Sequence, residues 1–260
     1  MFDVAFRKMG ARVRMEGTAR LAAGVTVDIQ SDARGEFFLL RHAPDVAPDL
    51  TVLNIQPKDR HLLLMSRVGN EKQKFLCGHD ERHWFVAAIP ESAPVSNVAQ
   101  AKAALKPVEV RRQEARAGIR PKLITRRRNP AFVRQGEWFF VPAPDVKVPE
   151  LLILKHEPLV RSRMGKPHFA EECFRTGGEL VYVARQYPAG LSEEKYRKLL
   201  RDDAGAKALN WQTMRRNPEV LVRGRISHPD HATVILTEWH RVYMNTETQA
   251  KANAAVVFLD

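Results

Sequence analysis

The stretch Cys77-Gly78-His79-Asp80-Glu81-Arg82-His83-Trp84-Phe85-Val86-Ala87-Ala88-Ile89 decides the class of fold. Its last six residues are all apolar. In an extended chain Trp84, Val86 and Ala88 turn to one side and Phe85, Ala87 and Ile89 to the other, which leaves no polar face for water. This is the pattern of a strand covered on both faces. Just ahead of it Cys77, His79 and His83 crowd a turn. The spacing Cys-x-His-x3-His supplies nitrogen and sulfur donors but lacks the second close pair of a familiar zinc site; a thiol beside two imidazoles also suits nucleophilic chemistry, and a strand start with hydrogen-bonded histidines explains the same letters.

Working outward, residues 2–15, 25–30, 36–41, 52–56, 61–65 and 74–77 are short β-branched or aromatic runs separated by polar turns, and they are expected to be strands. Asp32-Ala33-Arg34, Lys58-Asp59-Arg60 and Asp80-Glu81-Arg82 each place an acid and then an arginine ahead of an apolar run, as successive hairpins of a meander would. The run Arg34-Gly35-Glu36-Phe37-Phe38-Leu39 is echoed by Arg134-Gln135-Gly136-Glu137-Trp138-Phe139-Phe140-Val141. The echo is too short to establish a repeat.

Beyond Pro90 the texture changes. Val98, Ala101 and Leu105 follow helical spacing up to Pro107, and residues 109–117 form a second helical piece ending at Gly118, with Arg112 and Arg116 one turn apart. A polar, proline-bounded stretch follows as far as Pro130. Strands are then expected at residues 132–141, 151–155, 179–185, 219–227, 233–245 and 255–259, with a helix over 191–200 that Ser192 caps and Glu193 and Glu194 suit electrostatically. The class is α+β and β-rich, with antiparallel, meander-like sheets and a few short helices. Two domains are expected, residues 1–106 and 131–260, joined by a basic connector over 107–130.

At 260 residues with 44% hydrophobic content the chain can bury a sizeable core. The formal net charge of +12 favours a polyanionic partner. Two cysteines are too few for a disulfide framework, and no run approaches the about 18 apolar residues of a membrane span, so a soluble cytoplasmic protein without a membrane partner is expected.

Charge is concentrated at Lys106, Arg111, Arg112, Arg116, Arg120, Lys122, Arg126, Arg127, Arg128 and Arg134, opposed by only Glu109 and Glu114. Arginine forks suit phosphate, and Trp138, close behind, suits base stacking. Further arginines stand at Arg161, Arg163, Arg215, Arg216, Arg223 and Arg225. A solvated linker is the competing account.

Three histidine groups compete for chemistry. His228-Pro229-Asp230-His231 has the letters of a tight turn, and such a turn brings both imidazoles together with Asp230, a set able to hold a metal or move a proton. Glu238 and His240 alternate onto one apolar face as a buried carboxylate–imidazole pair, structural or acid–base. His168 with Glu171 or Glu172 reads as a pair on a helix turn that ends at Gly177-Gly178.

The leading reading is nucleic-acid binding through the arginine-rich connector and adjacent C-terminal surface. A hydrolase or nuclease using His228, Asp230 and His231, with or without a metal, is the alternative. A structural or interaction protein that binds an acidic partner is the third. The residues name no cofactor.

Overall fold

A computed structural model describes residues 2–18, 24–44, 48–160 and 166–249. The expected strand at 255–259, together with Arg161 and Arg163, lies outside the described residues. The fold is α+β and β-rich, with several antiparallel sheets, none closed into a barrel, and short helices. The chain separates into two compact units. The first runs up to Phe139 and resumes at Tyr243; the second is Phe140–Val242.

In order, the first unit holds α1 (Phe2–Lys8), β1 (Val13–Gly17), β2 (Val25–Asp32), β3 (Gly35–His42), β4 (Asp49–Gln56), β5 (His61–Val68), β6 (Glu71–Asp80) and β7 (His83–Ile89). It continues through α2 (Val98–Ala104), α3 (Val108–Arg116), α4 (Pro121–Ile124), β8 (Arg128–Asn129) and β9 (Phe132–Gln135) to the start of β10 (Trp138–Pro142), whose residues from Phe140 on belong to the second unit. The expectation of a strand over residues 2–15 is corrected: the chain begins as a helix. Phe2, Phe6 and Met9 follow a helical period, Phe6 and Met9 are buried, and Asp3 pairs with Arg7 one turn on.

Strands β4 to β7 form the expected antiparallel meander in sequence order. Both faces of β7 are covered. Trp84, Val86 and Ala88 join Phe6, Phe38, Leu62, Leu64, Phe75 and Cys77 in one core, supplied by α1 and the β1-β3-β2 sheet. Phe85, Ala87 and Ile89 join Leu63, Leu76, Val98 and Ala101 in another, on the side of α2. The four-stranded sheet is therefore a middle layer, as the unbroken apolar run requires.

The acid-arginine motifs all sit at hairpin turns. Arg60 and Glu81 take positive φ there, and Asp32 accepts the Arg34 N–H at 2.8 Å. The echo at Arg134 has a counterpart of the same kind, since Gly35 and Gly136 both take positive φ at hairpin turns. Strand β1 departs from antiparallel pairing and runs parallel to β3.

The second unit contains β11 (Leu154–Leu159), β12 (His168–Thr176), β13 (Glu179–Ala184), β14 (Tyr187–Ser192), α5 (Glu193–Asp202), β15 (Gln212–Arg216), β16 (Glu219–His228) and β17 (His231–Met244) as far as Val242. Strand β12 lies between β11 and β16, and β16 pairs on its other side with β17. The expected helix turn over His168 to Gly177 is corrected to the strand β12. Strand β14 was hidden by Pro188 and Gly190; it is an edge strand, where a missing N–H is tolerated. Helix α5 packs on this smaller β14-β13-β15 sheet through aromatic rings: Tyr196 stacks on Tyr182 at 3.9 Å and meets Trp211 edge-on at 4.9 Å.

Candidate functional site

The residues around the β6–β7 turn separate into different surroundings. Cys77 is fully buried in the core, and desolvation raises its thiol far above the ordinary range, against use as a nucleophile. His79 rests edge-on against Trp84 at 4.9 Å. His83 Nδ1 lies 2.7 Å from Glu36 Oε1, and the other oxygen of Glu36 accepts the Trp84 N–H at 2.9 Å. The two carboxylate bonds tie the turn to β3. This arrangement is structural in character.

His228, at the end of β16, pairs with His231, at the start of β17, across the turn made by Pro229 and Asp230. The register Phe169↔Ser227 brings His168, the first residue of β12, beside His228. Directly opposed residues share a face of the sheet, so three imidazoles from three adjacent strands meet at one end of it. The ring of His168 lies 4.2 Å from that of His228 and 5.5 Å from that of His231, and the latter two are 4.7 Å apart. His168 is buried while the other two are half-buried. Burial holds His168 down to about 3, and repulsion from His228 and His231 acts in the same direction. It stays a neutral imidazole at physiological pH.

Asp230 contributes differently. Both of its carboxylate oxygens accept from Lys166 Nζ at 2.9 Å, while its backbone N–H donates to His228 Nδ1 at 3.1 Å. His228 Nε2 lies 3.3 Å from the Lys166 carbonyl oxygen, so the tautomer consistent with both contacts carries its proton on Nε2. No local signal in the sequence links His168 to the turn; only the pairing of β12 with β16 does so.

The expected partners of His168 are elsewhere. Glu172 binds Lys155 and Arg223, which hold its carboxyl below the ordinary range, and Glu171 accepts the Arg225 N–H at 2.8 Å. Gly224, at φ +84°, leaves the room Glu171 needs: a Cβ there would stand 2.7 Å from Glu171 Oε2. The Glu238–His240 pairing is corrected as well. His240 is buried and its Nδ1 meets the backbone carbonyl of Glu238, whose side chain is exposed. The cause is a register shift between Val222 and Gly224 that breaks the alternation along β17.

The basic residues divide into two sets. Lys106 is buried against Glu114; Arg127 pairs with Asp80 and Glu81; Arg134 donates to the Gly136 carbonyl at 2.8 Å and lies over the Phe139 ring. Trp138 is completely buried, so it offers no surface for stacking a base. Farther along, Arg216 binds Glu179, Arg223 binds Glu172, and Arg215 donates to the Gly177 carbonyl. In contrast Arg111, Arg112, Arg116, Arg120, Lys122, Arg126 and Arg128 are exposed, and among the described residues none of them has an ion-pair partner. They belong to α3, α4 and the chain that follows.

Among the described residues no helix is long and apolar enough to cross a membrane. Compared with protein-family models, curated proteins and solved structures, the chain matches none.

Proposed function

We propose that this is a cytoplasmic nucleic-acid-binding protein whose phosphate-contacting surface is formed by Arg111, Arg112, Arg116, Arg120, Lys122, Arg126 and Arg128. The observation that carries the reading is the division of the basic residues: Lys106, Arg127 and Arg134 are paired or buried, and these are exposed and, among the described residues, without carboxylate partners. Glu114, which could have neutralised α3, is turned inward onto Lys106. Charge left over in this way attracts phosphate through counterion release, without reading sequence. The two cysteines, both free and buried, are in keeping with a reducing compartment.

The test measures binding of the full chain to fluorescent single-stranded and double-stranded oligonucleotides between about 50 and 200 mM salt. Replacing Arg112, Arg116 and Arg126 together by alanine should weaken binding to every sequence alike and lower the salt slope by about one for each phosphate no longer neutralised. Unchanged affinity and slope in that variant would overturn the assignment. Binding of acidic polypeptides in preference to either oligonucleotide would point instead to an interaction protein with an acidic partner.

A second reading, a hydrolase or nuclease working through His228, Asp230 and His231, draws on the meeting of that turn with His168. Cleavage of an oligonucleotide or ester substrate that disappears in His231→Asn would support it.

A further inference from the structure

We propose that His168, His228 and His231 form a three-histidine site for a divalent transition metal ion, with zinc the best-suited occupant. The site lies in the second unit and stands independently of the basic surface of the first. Among the described residues this group can offer one ring nitrogen from each side chain, all within 4.8 Å of one another.

Three features favour an ion there. The first is donor chemistry: imidazole nitrogens at three corners suit zinc, and a tetrahedral ion keeps a fourth position for water or a substrate atom. The second is the scaffold. Each ligand stands at the terminus of a strand, and the hydrogen-bonded pairing of β12 with β16 and of β16 with β17 fixes the three backbones relative to one another. With zinc–nitrogen bonds of about 2.0–2.1 Å, tetrahedral nitrogens stand about 3.3 Å apart, so closure from the observed spread needs side-chain movements of about an ångström.

The third is the surroundings. The contact of His228 Nε2 with the Lys166 carbonyl is the type of bond that orients a ligating imidazole, and it leaves Nδ1 as the nitrogen without a proton. Binding through Nδ1 replaces the Asp230 N–H, which reaches it at 3.1 Å. Asp230 itself is held by Lys166 and is not required as a ligand. His168 closes the buried side, and the half-buried His228 and His231 leave an approach from solvent.

The experiment strips the purified full chain with a chelator, then titrates it with Zn²⁺ by calorimetry and with Co²⁺ by visible absorption. The expected result is one ion per chain, an intense four-coordinate cobalt spectrum, and at least about a tenfold loss of affinity in His231→Asn and in His228→Asn. His168→Gln is read only after circular dichroism confirms the fold, and should also weaken binding. The proposal is overturned if the parent takes up no zinc, if His231→Asn binds as tightly as the parent, or if cobalt keeps the weak spectrum of its hydrated ion.

Discussion

Lys106 and Glu114 face each other at 2.6 Å with both side chains almost wholly buried. Lys106 also donates to the Ile124 carbonyl and lies 5.2 Å from the centre of the Phe132 ring, so one ammonium group joins α3, the end of α4 and β9. Desolvation lowers its pKa while Glu114 opposes that shift, which is the condition of a buried charge that needs its partner.

Removing one member of this pair should therefore cost more than removing both. Lys106→Met is expected to lower stability by about 3 kcal/mol, because Glu114 is left buried and uncompensated. Lys106→Met combined with Glu114→Leu should recover most of the loss. Urea unfolding of the two variants decides the matter; equal midpoints would show that the charge pair is not the source. Because α3 carries Arg112 and Arg116, the single variant should weaken polyanion binding as well.

Acid should destabilise the first unit through His61. Burial lowers its pKa to about 4 from the ordinary 6.5, with the charge of Lys102 acting in the same direction, followed by that of Arg134; its contact with the Asp59 carbonyl and the charge of Asp59 oppose them. Between those two pH values the unfolded chain holds the proton and the folded chain does not. The stabilisation is complete above the ordinary value and is lost as pH falls towards the folded one, by an amount on the order of 2 kcal/mol. His168 acts with the same sign in the second unit. Thermal unfolding from pH 7 to pH 4 should show a shallower decline in His61→Gln than in the parent; parallel curves would exclude His61 as a source.

Gly78 should not tolerate a side chain. Its φ is not the reason. A Cβ at that position would stand 2.6 Å from Cδ2 of His61 and 2.8 Å from Cε1 of Phe85, two rings that already meet edge-on. Gly78→Ala should cost about 1–3 kcal/mol through overpacking. A melting temperature equal to the parent's would show that the rings move aside freely.

The thiols should be silent in the folded protein. Cys77 and Cys173 are both fully buried, and desolvation pushes Cys173 up to about 11 and Cys77 higher still. A chromogenic thiol reagent at pH 8 should label neither until denaturant is added, after which both should react. Rapid labelling of native protein would contradict the core placement of Cys77 on β6 and Cys173 on β12.

The unbroken apolar run at the end of the stretch beginning at Cys77 was enough to specify a doubly covered strand, because alternation along an extended chain assigns its side chains to two faces. The acid-arginine turns and the periods of α2, α3 and α5 were legible for the same local reason. At residues 2–15 the aromatic content suggested a strand, whereas Phe2, Phe6 and Met9 satisfied a helical period that burial made decisive.

Which chemistry-bearing residues meet depends on packing between segments far apart in the chain. Local periodicity says which way a side chain points within its own element, but it carries no information about the register between β12 and β16, which brings His168 to His228, or about the inward turn of Glu114 onto Lys106. Register and burial follow from packing between distant segments, so the sequence by itself specified a β-rich class and an excess of positive charge, and the fold selected the histidines that converge and the arginines left to solvent.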